Sequence, residues 1–524
     1  MLPVLTSAEM READRRTIQE IGLPGAVLME NAGAAVAAVF ATRFPGARQP
    51  VILCGKGNNG GDGFVVARRL LSLAPTAFLF AARAEVRGDA LVHMGAFERS
   101  GGRLIEVRDD TAWDEVRSQV LAARLVVDAL LGTGLRQEPT GLLGRVIREV
   151  QAARGQGMTV LAVDIPSGVS SDMGEAPWES LSADLTVTFA ARKYGQVLAP
   201  ACDRVGELLV ADIGIPRSVI DAAGPKLWVL EKTDAAQAVG RREPGSHKGN
   251  FGRVLIVAGS VGKTGAAILA ASGALRMGAG LVTVATPEPA VPVVAQGRAE
   301  FMTEPLPASS DGRLSSEAAA RALSLARACD AVVLGPGLGQ DSAVREFVRE
   351  LVAGCPGPLA IDADGLNALA AGPRVAAAVE LLRRKAPTVI TPHPGEMARL
   401  EGMSVAEVQR RRLETARGMA MARGVHVVLK GHRTIVADAS GRAAVNPTGN
   451  PGMASGGTGD VLAGMLGALL ARGLPAWEAA TSAVYLHGLA GDLAAGRLGQ
   501  EALLAGDLLA ALPRALRSLE ARDS

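Results

Sequence analysis

Short, nearly continuous apolar runs recur along the first half of the chain and alternate with more polar stretches. They include PVILC at Pro50–Cys54, LVVDALL at Leu125–Leu131 and MTVLAVD at Met158–Asp164, and further runs read TAFLFAA, DLTVTFA and GELLVADI. Such runs are typical of strands that a mainly parallel sheet buries on both faces. Segments such as FVVARRLLSL, which starts at Phe64, lie between them and predict helices. The alternation predicts a doubly wound α/β domain.

The apolar rhythm fades after ADIGIP and resumes further along the chain. The segment EKTDAAQAVGRREPGSHKGNFG is polar and is broken by Pro244 and Gly245. The runs then restart with RVLIVAG, GLVTVAT, AVVLG, PLAID, PTVIT and VHVVLK, and the residues from Ala454 onward predict almost only helix. Because 524 residues exceed what one hydrophobic core accommodates, we predict two α/β domains, residues 1–222 and 223–524.

Composition narrows the class of protein. Hydrophobic residues make up 48% of the chain and charged residues 21%, as in soluble globular proteins. A net charge of +2 provides no basic field for nucleic acid. The four cysteines form no CxxC pair, which favours a reducing compartment over a disulfide framework or a zinc cluster. No apolar signal core or run of eighteen apolar residues occurs, so we expect a cytoplasmic protein without a membrane span.

Three motifs in the first half place polar residues where predicted strands end. CGKGNNGGDG at Cys54–Gly63 follows a strand and opens a helix, whose N-terminus favours a phosphate. VVDALLGTG at Val126–Gly134 and VDIPSG at Val163–Gly168 each place an aspartate before a loop of small residues. A tight glycine turn and helix-capping aspartates are the alternative interpretation. Ligands bind at the carboxyl ends of parallel strands, and oxygens of Asn59, Asp128 and Ser167 suit a hard cation there.

GKGNNGGDG, DALLGTGL and DIPSG, in this order, resemble the NAD(P)H-hydrate epimerase domain, which has a Rossmann-like three-layer α/β/α fold. The resemblance implies that Asp164 lies beside the reacting ring, and Lys193 in FAARKYG resembles a further catalytic residue of that family. It implies a potassium ion near Asn59, Asp128 and Ser167. It also implies a dinucleotide site formed by Asn58, Asn59, Gly60, Gly61, Asp62, Gly132, Thr133, Gly134, Leu135, Arg136, Gln137 and Glu138.

The second half contains a stretch that looks like a phosphate-binding loop, AGSVGKTGAA at Ala258–Ala267. A Walker motif needs a glycine five positions before its lysine, and Ala258 stands five positions before Lys263. The local order of strand, glycine turn and helix is right, but the residue pattern of a P-loop ATPase is absent.

The most informative stretch of the second half is NPGMASGGTGDVLAG at Asn450–Gly464. Its glycines precede Asp460 at the start of a predicted helix, whose amides can stabilise a phosphoryl group in transfer. Asp460 beside them can take a proton from an attacking hydroxyl, and an N-cap aspartate is the alternative interpretation. His393 in TPHPGEM lies between prolines on a loop, where we expect a ligand contact, and Lys430 in LKGHRT is a candidate phosphate partner.

Residues 243–524 resemble the ribokinase-like α/β fold, and within it the ADP-dependent NAD(P)H-hydrate dehydratase, on HKGNFGRVLIVAGS, GPGLG, TPHPGEM, LKGH and GGTGD. The resemblance makes GKT coincidental and implies that the hydrated cofactor contacts Ala266, Gly337, His393 and Asp460. It implies an adenine-nucleotide site formed by Lys430, Gly431, His432, Arg433, Thr434 and Gly459.

Together the two resemblances imply a fused enzyme that repairs hydrated NADH and NADPH. The N-terminal domain would interconvert the R and S epimers, and the C-terminal domain would dehydrate the S epimer with ADP as co-substrate, releasing AMP and phosphate. We expect potassium and magnesium ions as cofactors. We also expect that the protein binds small-molecule substrates only and forms a homo-oligomer. A sugar or vitamin kinase would use GGTGD equally well, and a non-catalytic nucleotide-binding module is a further alternative. The epimerase-like half argues against the kinase, and the retained Asp164 and Asp460 argue against the module.

Overall fold

The structure is a computed structural model that describes residues 1–315, 317–372 and 375–520. It divides into two compact units, one of residues Leu2–Leu227 and one that starts at Trp228 and also includes Met1. The division therefore falls after Leu227, whereas the sequence pattern places the boundary near residue 222. Both units are α/β, as predicted.

The N-terminal unit is built on a parallel sheet with the strand order β4-β3-β2-β5-β6-β7-β9. A second, short parallel pair joins β1 to β8. The strands are β1 (Leu2–Leu5), β2 (Val51–Cys54), β3 (Thr76–Leu79), β4 (Arg103–Glu106), β5 (Leu125–Ala129), β6 (Thr159–Val163), β7 (Leu185–Phe189), β8 (Arg192–Lys193) and β9 (Glu207–Ala211). The helices are α1 (Ser7–Arg16), α2 (Gly25–Arg43), α3 (Asn58–Arg69), α4 (Gly88–Arg99), α5 (Asp110–Leu121), α6 (Gly141–Arg154), α7 (Tyr194–Val197) and α8 (Arg217–Ala222).

The side chains of this sheet alternate between two hydrophobic cores. Ile52 and Val127 point into a core shared with α2, α3 and α4, whereas Leu53 and Val126 point into a core shared with α5 and α6. Successive strand residues face opposite sides of a sheet, so apolar residues at every position indicate burial on both faces. The predicted three-layer α/β/α arrangement is thereby confirmed.

Helix α2 passes a length and composition test for membrane-crossing helices, which the sequence pattern did not predict. Core helices of globular proteins share this length and composition. Leu28, Val36 and Phe40 of this helix pack in the hydrophobic core of the N-terminal unit. The burial of this face accounts for much of the apolar character of α2.

The C-terminal unit contains a mixed sheet with the order β13-β12-β11-β14-β15-β16-β17-β18-β19. Strands β11 to β17 pair in parallel, and β18 and β19 continue the sheet antiparallel. The strands are β10 (Leu227–Val229), whose first residue is the last of the N-terminal unit, β11 (Arg253–Val257), β12 (Leu281–Pro287), β13 (Met302–Leu306), β14 (Ala331–Leu334), β15 (Leu359–Ile361), β16 (Thr388–Ile390), β17 (His426–Leu429), β18 (Ile435–Ala437) and β19 (Ala443–Val445).

The helices of this unit cover the sheet, and its last part is helical, as predicted. Helices α10, α19, α20 and α21 form one core with the strands, in which Ile256, Val284 and Val333 are buried. The helices are α9 (Lys232–Val239), α10 (Thr264–Arg276), α11 (Val291–Ala295), α12 (Ala318–Ala326), α13 (Ser342–Gly354), α14 (Asp364–Leu369), α15 (Val375–Glu380), α16 (Pro394–Glu401), α17 (Val405–Arg410), α18 (Arg412–Arg423), α19 (Thr458–Ala471), α20 (Ala476–Leu498) and α21 (Ala505–Glu520). The ribokinase-like arrangement expected from the sequence is confirmed.

Candidate active sites

A cavity of about 1190 Å³ in the N-terminal unit lies at the carboxyl ends of the central strands. The predicted site residues that line it are Asn58, Asn59, Asp62, Gly132, Thr133, Gly134, Leu135, Arg136, Gln137, Asp164 and Lys193. Gly60, Gly61 and Glu138 are not among the residues that line this cavity. A Cβ on Gly60 would lie 1.8 Å from the carbonyl oxygen of Gly55, so this glycine permits close backbone packing.

Helix α3 begins earlier than the sequence pattern suggests. Its first residue is Asn58, so the segment Asn58–Asp62 forms the first turns of a helix and not a loop. Gly57 precedes it in an extended conformation and provides no side-chain cap. The first amides of a helix have no partner within the helix, so the N-terminus of α3 presents N–H groups to an anion in the cavity.

An ion pair between Asp164 and Lys193 occupies the cavity wall. Lys193 Nζ donates to Asp164 Oδ1 at 2.6 Å and to Thr188 Oγ1 at 2.7 Å, and Thr188 Oγ1 donates to the same carboxylate oxygen at 2.8 Å. Asp164 follows β6 with a φ of 62°, a left-handed conformation that costs a non-glycine residue energy. Lys193 is 1% exposed, so a buried cation holds this carboxylate in a fixed place.

Two further carboxyl groups, Asp14 and Asp62, line the same cavity without a hydrogen bond or ion pair among the residues the structure describes. Burial raises the pKa of Asp14 to about 6, a shift that Lys193 opposes and Asp164 reinforces. Burial, and then the nearby Asp164 and Asp14, raise the pKa of Asp62 well above its ordinary value. Asp14 was not predicted, because a single aspartate in an ordinary helical segment carries no motif.

Hydrogen bonds link the proposed cation ligands Asn59, Asp128 and Ser167. Ser167 bonds directly to Asp128, and both Ser167 and Asn59 bond to the backbone of Leu131. Asp128 lies within β5, not at its end, and accepts hydrogen bonds from Ser167 N at 2.7 Å and Ser167 Oγ at 2.6 Å. Asn59 Nδ2 donates to Leu131 O at 2.9 Å. The buried Asn59 Oδ1 has no hydrogen-bond partner in the described structure. Asn59 Oδ1, which has no partner, and the buried carboxylate of Asp128, whose pKa burial raises to about 6, provide oxygen donors that fit a monovalent or divalent cation.

In the C-terminal unit, Asp460 is the third residue of α19. The N-cap is Gly457, whose φ of 93° needs no side chain, and no side-chain capping bond is made there. The Asp460 carboxylate forms no hydrogen bond among the described residues, so the capping interpretation is not supported by the contacts. Burial, followed by repulsion from Asp362, raises the pKa of Asp460 to about 7. A carboxyl with such a pKa exchanges protons readily near neutral pH.

Lys430 lies beside this helix start and is paired with Asp362. Its Nζ donates to Asp362 Oδ1 at 2.6 Å and lies 4.0 Å from Glu396 Oε2. A Cβ placed on Gly459 would be 3.3 Å from Lys430 Nζ, which brings the cation to the first turn of α19. Although burial opposes it, the carboxylates of Asp362 and Glu396 raise the pKa of Lys430, so the lysine stays charged.

His393 has a structural role in addition to the ligand contact that we expect from the sequence. It is the N-cap of α16, and its Nδ1 accepts from Gly395 N at 2.9 Å and from Glu396 N at 3.3 Å. Burial, and then Lys430 and Arg399, lower the pKa of His393, which agrees with a neutral ring that accepts at Nδ1. The Nε2 edge remains half-exposed and 3.3 Å from Glu396 Oε1.

Ala266, Gly337 and Lys263 meet at the turn before α10. A Cβ on Gly337 would lie 2.9 Å from Ala266 Cβ and from Lys263 O, so only glycine fits there. Lys263 Nζ donates to Asp364 Oδ2 at 3.1 Å, and the same oxygen accepts from Gly339 N at 2.8 Å. The lysine of the apparent P-loop is therefore paired with the carboxylate of Asp364, the first residue of α14.

Between Asp362 and Asp364 the backbone adopts an unusual conformation. Ala363 has a φ of 50°, which strains a residue with a Cβ. The strain turns consecutive carboxylates in different directions, since Asp362 pairs with Lys430 and Asp364 with Lys263. The sequence stretch DADGLN follows a predicted strand, and its two aspartates, Asp362 and Asp364, were not predicted as site residues.

The segment Lys430–Thr434 forms a turn whose start is supported by hydrogen bonds from Arg412. Arg412 is buried and its Nη2 donates to Leu429 O at 3.1 Å and to Lys430 O at 3.3 Å. Thr434 Oγ1 donates to Gly431 O at 2.9 Å, and Arg433 has a φ of 56°. His432 lies in the same turn and takes part in further interactions. The structure thus brings Lys430 to Gly459, as a shared nucleotide site requires. The other residues of the turn adjoin Lys430 in sequence.

Two family models match the chain, one in each unit. Residues 25–195 match the model described as YjeF-related protein N-terminus, and residues 254–514 match the model described as NAD(P)H-hydrate dehydratase. Relatives align along nearly the full length. The chain is 42% identical over 522 residues to the bifunctional NAD(P)H-hydrate repair enzyme Nnr of Moorella thermoacetica, covering 99% of this chain and 97% of the relative. It is 36% identical over 508 residues to the enzyme of the same name from Escherichia coli K12, covering 97% and 92%.

A solved structure also matches the C-terminal part of the chain. It is the ADP/ATP-dependent NAD(P)H-hydrate dehydratase of Bacillus subtilis, co-crystallised with ATP and Mg²⁺. The TM-score is 0.47 and the sequence identity 32%, over 56% of this chain and 98% of that one.

Proposed function

The chain belongs to the family of bifunctional NAD(P)H-hydrate repair enzymes, and we propose that each of its two units carries out one reaction of the repair. The N-terminal unit interconverts the R and S epimers of NADH and NADPH hydrates. The C-terminal unit dehydrates the S epimer at the expense of ADP and releases AMP and phosphate. The observation that carries this proposal is Asp460, an unpaired carboxyl on the first turn of α19 beside Lys430.

The dehydration needs a better leaving group than hydroxide. Asp460 removes the proton of the ring hydroxyl, whose oxygen attacks the β-phosphorus of ADP, and the bond from that phosphorus to the bridging oxygen breaks to give AMP. The amides of Gly457–Asp460 and the charge of Lys430 stabilise the phosphoryl group during transfer. Phosphate then leaves carbon 6 with its C–O bonding electrons, carbon 5 loses a proton, and the ring double bond returns.

Magnesium would accompany the nucleotide and neutralise phosphate charge during transfer. Carboxylate oxygens of Asp362, Glu396 and Asp460 surround Lys430 and provide the hard donors that such an ion prefers. These carboxylates therefore suit a metal–nucleotide complex. The positive charge of Lys430 reduces the repulsion between them.

In the N-terminal unit, Asp164 is the base for epimerisation because its carboxylate lines the cavity and its ion pair with Lys193 fixes its position there. The free amides of α3 and the loop Gly132–Gln137 bind the dinucleotide. Potassium is the cation we assign to Asn59, Asp128 and Ser167, where it would order the loop that contains Leu131 and contribute charge near the phosphates. The orphaned oxygen of Asn59 supports this assignment.

We also propose that the enzyme acts in the cytoplasm on small molecules alone, as a homo-oligomer without nucleic-acid or membrane partners. No disulfide joins any of the four cysteines in the described structure, which supports a reducing compartment. Size-exclusion chromatography coupled to light scattering would measure the oligomeric state.

One experiment tests both proposed activities. The full chain is incubated with a mixture of R and S hydrates plus ADP and Mg²⁺, and the recovery of NADH absorbance is followed. Complete recovery with one phosphate released per NADH supports the proposal. Accumulation of a stable phosphorylated product would indicate a kinase instead. Recovery that stops when the S epimer is exhausted would refute the epimerase activity.

A further inference from the structure

Helix α1 forms one wall of the cavity in the N-terminal unit. Met10, Asp14 and Ile18 line the cavity at intervals of four residues, and Arg11 lines it beside them. Residues four apart lie on one face of a helix, so this face of α1 and of the π-helical turn after it points at the ligand space. The whole segment precedes residue 25, where the family model begins to match.

The segment is held rigidly against the catalytic ion pair. Strand β1, which leads into α1, pairs in parallel with β8, and Leu5 stands opposite Lys193. Ser7 donates through its backbone N and its Oγ to the carboxylate of Asp172, at 2.5 Å and 2.6 Å, in the loop that follows Asp164. A capping box between Thr6 and Glu9 starts the helix. Asp14 is therefore placed by the same elements that place Asp164 and Lys193.

The side chain of Asp14 lines this cavity without a direct partner among the described residues. It forms no hydrogen bond or ion pair with any described residue, although α1 contains three arginines that could have paired with it. The charged groups that act on it are Lys193 and Asp164 across the cavity. The other charged residues that line the cavity are Arg11, Lys56, Asp62, Glu85, Asp89, Arg108 and Arg136. A half-buried acid that is kept unpaired costs stability, and such groups gather at functional sites.

We propose that Asp14 is a catalytic residue of the epimerisation, the acid that works opposite the base Asp164. The proposal rests on the epimerase activity proposed above. Asp164 takes the proton of the hydroxyl on carbon 6, and the electrons of that O–H bond form the second bond of a carbonyl between carbon 6 and the oxygen. The bond from carbon 6 to the ring nitrogen N1 breaks, its electrons stay on N1, and Asp14 gives N1 a proton. After rotation about the C5–C6 bond the steps reverse, and N1 attacks the other face of the carbonyl.

This route balances without an oxidant or a further reactant. Nothing is oxidised, and each carboxyl returns to its initial protonation state after closure. The other way to invert carbon 6 is to expel water and add it again from the opposite face. That cation would lose a proton from carbon 5 and give NAD(P)H directly, which would make ADP unnecessary. Two carboxyl groups in one cavity, Asp14 as the acid for N1 and Asp164 as the base for the hydroxyl, suit the ring-opening route.

Asp14 suits this role better than Asp62, the other unpaired carboxyl. A pKa near 6 lets Asp14 give up and regain its proton near neutral pH. Asp62 is buried, and desolvation followed by Asp164 and Asp14 raises its pKa well above the ordinary value, so it gives up its proton less readily than Asp14.

The test compares Asp14→Asn with the wild type and with Glu12→Gln, in the full chain. Glu12 lies on the exposed face of the same helix in an ion pair with Arg15, so its substitution is a matched loss of charge. The rate of R-epimer conversion is measured from pH 5 to 8 with spontaneous epimerisation subtracted. We expect Asp14→Asn to lower kcat about 100-fold or more with KM changed less than about threefold, because general acid catalysis contributes at least that much.

The pH profile separates a catalytic role from a structural one. The wild type and Glu12→Gln should lose activity as the pH rises through about 6, where Asp14 loses its proton, and Asp14→Asn should lack this limb. Circular dichroism and thermal unfolding of the full chain, compared with the wild type, report whether each variant is folded. If Asp14→Asn does not fold, Asp14→Glu replaces it, and this variant should keep partial activity with a displaced limb.

The outcomes separate the two proposals. If the wild type consumes the R epimer only at the spontaneous rate, the epimerase function itself is refuted. If the wild type interconverts the epimers and Asp14→Asn does so within threefold with the same pH limb, the catalytic role of Asp14 alone is overturned. An unchanged limb in Asp14→Glu has the same meaning.

Discussion

Replacing Asp460 by asparagine separates a catalytic role from a capping role more cleanly than any other substitution in the C-terminal unit. The change keeps the shape of the side chain and removes its capacity to accept a proton. Loss of a general base lowers turnover by about 10²–10⁴-fold. We expect ADP-dependent dehydration to fall by this amount, while R–S interconversion in the N-terminal unit stays as in the wild type.

The same substitution should leave the protein as stable as before or more stable. Folding raises the pKa of Asp460 from 3.8 to about 7, so the unfolded chain ionises this group at lower pH than the folded one. The resulting cost is absent below about pH 3.8, grows as the pH rises and is complete above about pH 7. At about 1.4 kcal/mol per pH unit, the ionised carboxylate costs on the order of 4 kcal/mol as an upper bound. Asparagine avoids this cost.

The assay pairs turnover with thermal unfolding. Dehydration of the S epimer is measured between pH 6 and 9, where wild-type activity should rise through about pH 7 as Asp460 ionises. Asp507→Asn is the matched control, because Asp507 is also the third residue of a helix but accepts a hydrogen bond from Leu504 N at 2.9 Å. Near-normal dehydration by Asp460→Asn, or a melting temperature lowered like that of a lost helix cap, would refute the reasoning.

Three further predictions concern other side chains. Asp164→Ala should abolish consumption of the R epimer at early times and leave dehydration of the S epimer intact; equal early consumption of both epimers would contradict the role of the Asp164–Lys193 pair. Asn59→Ala should remove the higher melting temperature that we expect in KCl relative to NaCl, and an undiminished difference would exclude Asn59 as a potassium ligand. Lys263→Ala should cost less than about tenfold in turnover, because its half-exposed ion pair with Asp364 is worth at most about 1 kcal/mol; a loss of several orders of magnitude in a folded protein would restore the P-loop interpretation.

The sequence by itself determined the architecture and the family. Buried parallel strands leave continuous apolar runs, and each such run, from PVILC to VHVVLK, became a strand of one of the two sheets. The comparisons confirmed the family that the motifs GKGNNGGDG, TPHPGEM and GGTGD indicated. Motifs at the ends of parallel strands are readable because the fold gathers these ends at one edge, so their position in the chain already implies their position in space.

Local conformation was harder to predict than strand position. The glycine-rich run around Asn59 is helical because its glycines pack against the Gly55 backbone and Met29, a requirement visible only in three dimensions. His393 caps α16 because Glu396 and Gly395 present their amides to its ring. A local pattern does not distinguish a histidine that accepts from backbone amides from one that contacts a ligand.

Only the tertiary structure decided which charged groups meet. Lys430 and Asp362 are 68 residues apart and pair at 2.6 Å, because β15 and β17 end on the same side of the sheet. Asp14 reaches the cavity of Asp164 because β1 pairs with β8. No regular separation along the chain identifies these pairs, because strand order and packing set the distance between two side chains in a folded protein. Their pKa values depend on that burial and that proximity, so the protonation behaviour of both sites is a property of the fold.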